Sequence, residues 1–485
     1  MKIGIDFGTS YSAAGAVVDG KIELIRFGDQ EQFRTTVFFP LSLPSAADFE
    51  LTPALEVEVA RLVADSTREQ NAAAVRASAA RQRAMAEPAD RREEALAMVP
   101  GVVARSAEAL RRDAVNAVRR RWSSEQARRA ADSEVDLQNA LYGDEAIDAY
   151  VASGSGHLVV SPKSMLGFRL HGSARKALLG IATHILGHIR STASRQLGTE
   201  VRSVVLGRPV EFRSSMGEAG GLQAVGILTD AAHAAGFESV EFLEEPAAAA
   251  MGHHQGEPER RRTLVVDIGG GTTDVAIADI GGAATRPAIL RSWGLAQGGT
   301  DVDIELSMRR FMPLFGKGCT RTPVHQFYEA AAVHDLQRQA SFRRTAFHHV
   351  EAPFDSRLAQ LQAFGNTIRL SGAVERAKIR LSEHRDACVP LDYIEPGLEA
   401  QVDRAGLDEG ASRFLSSLRG LLVAVAGDLE RTPETVYLTG GMSRAPYVRG
   451  LVTELFPGAG AVLGNASLGV VSGLAVAAST DLSAA

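Results

Sequence analysis

The sequence predicts an α/β fold of two similar halves facing each other across a cleft, each carrying helical insertions. Two well-separated stretches follow one plan of strand, glycine bend, strand, tight turn and strand. Both place an acid two residues before the first glycine, as Asp6-Phe7-Gly8 and Asp267-Ile268-Gly269. Long helical patterns follow each copy. Duplication of one unit explains such a repeat most simply.

The first copy runs from Ile3 to Ile5, through the Gly8-Thr9-Ser10 bend, from Ala13 to Val18, through an Asp19-Gly20 turn and from Ile22 to Ile25. Residues 45 to about 140 are rich in Ala and Arg. Leu110, Ala114, Val118 and Trp122 recur there at helical spacing, which predicts amphipathic helices broken near Pro88 and Pro100-Gly101. Residues 173–197 form another helix. "VRSVVLGRPVEF" then reads as a buried strand and a loop, and "VEFLEEPAAAAMG" as a strand ending at Glu245 with Pro246 opening a helix. The second copy follows, with strands from Leu264 to Val266, Val275 to Ile280 and Ala288 to Leu290, separated by the Asp267–Gly271 bend and a Gly281-Gly282 turn. Residues 301–385 are helical again. In "SGAVERAKIRLSEH" the apolar Val374, Ala377, Ile379 and Leu381 leave Glu375, Lys378 and Ser382 on a polar face. A strand in "TVYLTGG", a glycine bend and helix in "MSRAPYVRGLVTELF", and an apolar helix in "SLGVVSGLAVAAS" complete the chain.

With 485 residues, 45% apolar and 23% charged, the chain is expected to be a folded protein of two or more domains. A net charge of −6 singles out neither nucleic acid nor an anionic membrane as partner. Cys319 and Cys388 are expected to be buried structural thiols in a reducing compartment. No secretory leader is expected from the N-terminal residues, and no stretch reaches the ~20 apolar residues of a membrane span. A cytoplasmic location is therefore expected. The adjacent pairs His253-His254 and His348-His349 lack metal-ligand spacing and read as surface residues. Arginines at 91–92, 111–112 and 119–121 alternate with acids, so a solvated helix face is expected rather than a nucleic-acid surface.

The chemistry concentrates in "VVDIGGGTTDVAIADI". Glycines let backbone N–H groups approach a phosphate, whereas acids repel one. A divalent cation between them resolves the conflict. Asp6 and Asp267, each ahead of a glycine bend, would face one another in a duplicated fold, with Thr9, Ser10, Thr272 and Thr273 adding hydroxyl donors. A single D-x-G is an ordinary turn. Two copies followed by Thr or Ser, with a further bend at Gly440-Gly441, favour a metal–nucleotide site. A dinucleotide fingerprint does not fit, because Gly269–Asp274 leads into a strand, and a Walker loop lacks its G-K-[ST].

"IGIDFGTSYS", "VVDIGGGTTDVAI", "LEEPAAAA", "ERAKIRLS" and "LTGGMSRAPYV" resemble, in order and approximate spacing, the nucleotide-binding domain of the heat-shock-protein-70 (DnaK-type) chaperones, within the actin-like ATPase superfamily. The resemblance implies an actin-like ATPase fold of two ribonuclease-H-like lobes. They would span residues 1–258, with a helical insertion at about 41–172, and 259–485, with one at about 301–407. ATP or ADP and Mg²⁺ would occupy the cleft. By the same resemblance Gly8, Thr9, Ser10 and Tyr11 form the first phosphate loop, and Gly269, Gly270, Gly271, Thr272 and Thr273 the second, with Asp274, Gly298 and Gly299 beside it. Asp6, Glu245 and Asp267 hold the metal's water shell and, with Thr272, are the catalytic set. Glu375, Lys378 and Ser382 reach the ribose and adenine, and Gly440, Gly441, Ser443 and Arg444 close on the adenosine.

Departures from the family pattern set the alternatives. Ile147 in "YGDEAIDAY" stands where the family carries a catalytic lysine, Ile379 replaces a guanidinium flanking the adenine, and Thr300 replaces an acid. The chain stops at Ala485, where a peptide-binding β-sandwich would follow, and so resembles the truncated YegD-like branch. The expected function is a slow Mg²⁺-dependent ATPase whose lobe closure is read by a protein partner or client. The alternatives are a small-molecule kinase of the same superfold, which needs a base beyond the metal shell, and a non-hydrolysing nucleotide-binding scaffold, which Ile147 favours.

Overall fold

The computed structural model describes residues 1–485 apart from 41–48, 87, 89–90, 98, 100–104, 133–138, 348, 466 and 481–485. It divides into a main unit, residues 1–40 with 137–485, and a second unit, residues 41–136.

The main unit opens with β1 (Lys2–Phe7), β2 (Tyr11–Val18), β3 (Lys21–Leu24), β4 (Gln32–Arg34) and β5 (Thr36–Phe39). The β2–β3 turn uses positive φ at both Asp19 and Gly20, as a two-residue hairpin requires. The second unit contains α1 (Pro53–Ala86), α2 (Arg92–Ala97) and α3 (Ala107–Asp132). Val59 of α1 and Ala114 and Val118 of α3 form its small apolar seam. Polar flanks are tied by pairs such as Arg111–Glu56 and Arg121–Glu58. The expected break near Pro88 is present between α1 and α2; Pro100-Gly101 lies outside the described residues.

The main unit resumes with β6 (Leu141–Tyr142), α4 (Gly143–Ser153), β7 (His157–Val160), α5 (Gly172–Leu197), β8 (Ser203–Arg208), α6 (Glu218–Ala234), β9 (Ser239–Glu244) and α7 (Glu245–His254). Then come β10 (Arg261–Ile268), β11 (Thr273–Ile280), β12 (Ala288–Leu295), α8 (Gly299–Leu306), α9 (Val324–Ala331), α10 (Leu336–Arg344), α11 (Phe354–Gln362) and α12 (Asn366–Glu383). The chain finishes with β13 (Asp386–Pro390), β14 (Glu399–Asp403), α13 (Arg404–Asp428), β15 (Thr435–Thr439), α14 (Pro446–Leu455), β16 (Gly460–Leu463) and α15 (Gly469–Ser479).

Two mixed sheets organise these elements, and their strand orders match. The first reads β3-β2-β1-β8-β9, with β4 also on β2; the second reads β12-β11-β10-β15-β16. In each, an antiparallel meander is followed by two parallel strands. The inner strands β1, β8, β10 and β15 are apolar without alternation because both of their faces are covered. Asp6 and Asp267 lie near the ends of the equivalent strands β1 and β10.

Helices α7 and α15 join the sheets. Their apolar residues share one cluster with Val205 of β8 and with Val265, Ala278 and Tyr437 of the second sheet. Helix α15 is apolar all round, as a fully enclosed helix should be. Its backbone touches that of α7: a β-carbon on Gly473 would fall 1.6 Å from the Ala248 carbonyl oxygen.

Several expectations are corrected. Cys319 and Cys388 are both exposed, Cys319 in a turn and Cys388 on the solvent-facing side of the alternating β13–β14 ribbon. His253 and His254 are not surface residues. The His253 ring stacks on Tyr437 at 4.2 Å, and His254 is buried, accepting from the Gly281 N–H and bonded to the Ala284 carbonyl. His348 lies outside the described residues. On α12, Ile379 is exposed and Lys378 is buried, because the buried stripe of Val374, Ala377 and Leu381 takes in position 378 rather than 379. Strand β12 runs five residues beyond Leu290.

Gly473→Ala should separate α7 from α15 and cost about 3 kcal/mol through overpacking. A urea melt checks this, and an unchanged midpoint would mean the two helices are not in backbone contact.

Candidate functional site

The ends of β1, β9 and β10 deliver Asp6, Glu245 and Asp267 to one place. Asp267 pairs across the ladder with Asp274 of β11, and Glu245 is the first residue of α7, fixed by the β9-to-helix junction at Pro246. Glu245, Asp267 and Asp274 are buried. Asp274 is further held by the Val210 N–H, which donates to its Oδ1 at 2.6 Å.

Among the described residues, one cation faces these four carboxylates. Lys163, in a short 3₁₀ turn after β7 (Pro162–Met165), is buried and donates a short hydrogen bond to Glu245 Oε1. The turn is launched by Ser161, which adopts left-handed backbone at φ 53°. Burial opposes the Lys163 ammonium, but Glu245 and Asp6 hold it charged above its usual range. For the acids, burial dominates and mutual repulsion adds to it. The Asp6 carboxyl is pushed up to about 7 by burial and by Glu245. Asp267 and Asp274 are raised well above the carboxylate range by burial and again by Glu245.

The glycine loops pack against one another over this cluster. A β-carbon on Gly270 would lie 2.1 Å from Ser10 Oγ, and one on Gly271 2.6 Å from Thr9 Oγ1. The Gly299 N–H donates to the Gly269 carbonyl at 3.0 Å and the Thr300 N–H to the Gly270 carbonyl at 2.8 Å, so Gly298 and Gly299 back the second loop. Gly440, at φ 81°, lies against Asp267: a β-carbon there would meet Asp267 Oδ1 at 2.6 Å. Thr272 is hydrogen-bonded to Asp274, and both are buried. The Thr273 hydroxyl instead donates to the Gln297 carbonyl at 3.0 Å and is committed to the fold. Ser443 is buried, while Arg444 is exposed.

The α12 residues are drawn into ion pairs. Glu375 Oε2 accepts from Arg34 at 2.9 Å; the same guanidinium donates to Asp144 and to the Tyr11 hydroxyl. Lys378 Nζ donates to Asp303 Oδ2 at 2.8 Å and to the Gly299 carbonyl at 3.3 Å. The Ser382 hydroxyl donates to the Lys378 carbonyl at 3.3 Å.

Lys163 and Arg34 escaped the motif search. Lys163 lies in "SPKSMLG", which has no glycine loop and no acid; the one available signal was composition, since the chain keeps six lysines among 52 basic residues. The lysine position assigned to Ile147 is corrected accordingly. Ile147 packs against the apolar cluster of Phe38, Ala146, Tyr150, Leu158 and Ile368, and the buried lysine beside Glu245 comes from residue 163.

The donor set tests the expected metal. It consists of carboxylates, the hard oxygen donors that suit Mg²⁺. Among the described residues no three His, Cys, Asp or Glu side chains converge as direct ligands. Once deprotonated, four acids facing one ammonium carry an excess of negative charge, so the site fits a cation held through water. Among the described residues no helix is long and apolar enough to cross a membrane.

Comparison with known proteins adds an independent line. Residues 165–316 match the family model of the Hsp70 protein. The chain is 28% identical over 286 residues to the chaperone protein DnaK of Thermus thermophilus, which covers 57% of this chain and 39% of that one. It is 26% identical over 288 residues to DnaK of Thermosipho melanesiensis (57% and 40%), and 28% identical over 282 residues to the chaperone protein dnaK3 of a Synechocystis species (56% and 30%). The match thus spans about two fifths or less of these relatives' length. The matched region takes in Glu245, Asp267 and the second glycine loop.

Lys163→Met would leave Glu245 buried without a partner and should cost about 3–5 kcal/mol, read as a lowered denaturation midpoint. Asp6, whose folded carboxyl titrates near 7 against an ordinary 3.8, makes the folded chain bind more protons than the unfolded chain between those values. Its contribution to stability is full below pH 3.8 and is lost as pH rises through 7. Without divalent cations the melting temperature should therefore fall across this window, and the fall should be shallower in Asp6→Asn. Parallel curves for the two proteins would remove Asp6 from the cluster.

Proposed function

We propose that this chain, related to the Hsp70 proteins over its matched region, binds ATP between two lobes of an actin-like ATPase fold and hydrolyses it slowly with Mg²⁺, as a member of the YegD-like branch. The lobes are residues 1–258 and 259–485. One observation carries this reading: Asp6, Glu245 and Asp267 converge at facing glycine loops, with Lys163 buried among them.

In this reading, backbone N–H groups and hydroxyls of Gly8, Thr9 and Ser10 on one side, and of Gly269, Gly270, Gly271 and Thr272 on the other, cradle the phosphates. Gly298 and Gly299 stiffen the second loop from behind. Adenosine lies between α12, with Glu375, Lys378 and Ser382, and the bend of Gly440, Gly441, Ser443 and Arg444. Reaching the ribose requires Glu375 and Lys378 to exchange their present partners Arg34 and Asp303 for its hydroxyls. Tyr11, tethered by Arg34, closes the edge of the first loop.

Asp6, Glu245 and Asp267 would hold Mg²⁺ through its water shell, where the ion neutralises charge on the phosphate oxygens. Glu245 orients the attacking water for in-line displacement, and Lys163 fixes the rotamer and charge of Glu245. Thr272 and Asp274 hold the second loop in register. Supply of a lysine by residue 163 removes the reason to favour a non-hydrolysing scaffold. Closure of the lobes on nucleotide is then a signal for a protein partner or client.

Asp267→Asn should abolish Mg²⁺-dependent ATP turnover, lowering it by at least about 10²-fold, while binding of a fluorescent ADP analogue persists. Wild-type turnover in that variant would refute the assignment.

A further inference from the structure

Beside the phosphate loops, between the two halves of the main unit, lies a cavity of about 70 Å³. Ser10, Arg34 and Ser161 wall it from the first half, and Thr300, Asp303 and Ser371 from the second. Its lining includes Glu375 of α12, the partner of Arg34, but neither Lys378 and Ser382 nor any residue of the Gly440–Arg444 bend. The cavity thus adjoins the proposed nucleotide site and shares Ser10 and Glu375 with it.

The wall is rich in acceptors and has no spare cation. Asp303 Oδ1 and His334 Nδ1, on two wall residues, are buried without a hydrogen-bond partner. Burial also keeps the His334 imidazole neutral, pushed down to about 4. Arg34 spends its nitrogens on Asp144, Glu375 and Tyr11, and the nearby Lys378 is spent on Asp303. Ser161 holds left-handed backbone at this wall, strain of the kind that collects at ligand clamps.

These features select a chemistry. An anion finds no free cation among the lining residues; Arg213, close enough to act on His334, lies outside the lining and is paired with Asp301. An apolar molecule would leave the Asp303 oxygen and the imidazole nitrogen unpaired, at the usual cost of a buried orphan. A cavity of this size admits on the order of five heavy atoms, judged by the space one water needs. We propose that it binds a small uncharged polyol of ethylene glycol or glycerol size, whose hydroxyls pair with Asp303, His334 and the wall serines.

Because both halves build the wall, an occupant bridges them and stabilises the closed arrangement. On the ATP-binding reading above, nucleotide draws Glu375 and Lys378 away from the wall residues Arg34 and Asp303, so polyol and nucleotide alter each other's binding reciprocally. Polyol binding itself does not depend on that reading.

The test uses the whole chain without nucleotide, with ethylene glycol and glycerol followed by ligand-observed saturation-transfer NMR, and with 1-propanol and acetate as controls. Both polyols should receive saturation, the controls should not, and Ser371→Phe, which fills the cavity, should weaken the signal at least tenfold. Ser371→Val, a smaller change, guards against misfolding of the phenylalanine variant and should give a partial loss. Transfer to neither polyol, equal transfer to acetate, or transfer undiminished in both variants would overturn the proposal. A fluorescent ADP analogue titrated into the same preparations separates the two readings. If it fails to bind while the polyols bind and the variants weaken them, the nucleotide assignment falls and the cavity stands.

Discussion

Four carboxylates facing a single buried ammonium is the constraint on which the site depends. Asp6, Glu245, Asp267 and Asp274 come from both sheets and from the first turn of α7, and among the described residues Lys163 is the buried cation that reaches them. Such a cluster is costly when unpaired, because burial disfavours each charge and each acid disfavours its neighbours. The fold holds it together with apolar packing elsewhere. The α7–α15 core, with its backbone contact at Gly473, fixes the two sheets so that the ends of β1 and β10 meet. Stability is thus built away from the charges, and the charges remain available to a cation and an anionic ligand.

The same logic accounts for the pairings on α12. Half-buried Glu375 and buried Lys378 cannot remain unpaired, so they take Arg34 and Asp303 as partners. Arg34 and Glu375 belong to opposite halves, which makes this pair a bridge across the cleft. On the proposed reading, a ribose reaching α12 would compete with these ion pairs, so nucleotide binding and the bridge would be linked through shared groups. Apolar contacts of Phe38, Tyr150 and Leu158 with Ile368 close the halves further out.

Much of this was legible in the amino-acid order. The meanders, the duplicated D-x-G, the helix opening at Pro246 and the buried character of the last helix each rest on short-range signals: turn residues, strand-length apolar runs and helical spacing. Convergence of Asp6 and Asp267 could be read because duplication carries its own geometry. Lys163 was not legible, since nothing near it in the chain announces a partner 82 positions away. Cys388 and the His253-His254 pair were misjudged for a related reason: exposure is set by which face the neighbouring elements cover, and residue type alone does not report it.

By itself, the sequence determined the two-sheet α/β plan, the glycine loops and the acids that accompany them, because turns and strand ends are local and each follows from a few adjacent residues. Tertiary structure decided which cation meets Glu245, that α12 presents Lys378 inward and Ile379 outward, and that a polar cavity remains between the halves. Those outcomes depend on the approach of segments distant in the chain, where packing of whole elements chooses among side chains that local chemistry leaves equivalent.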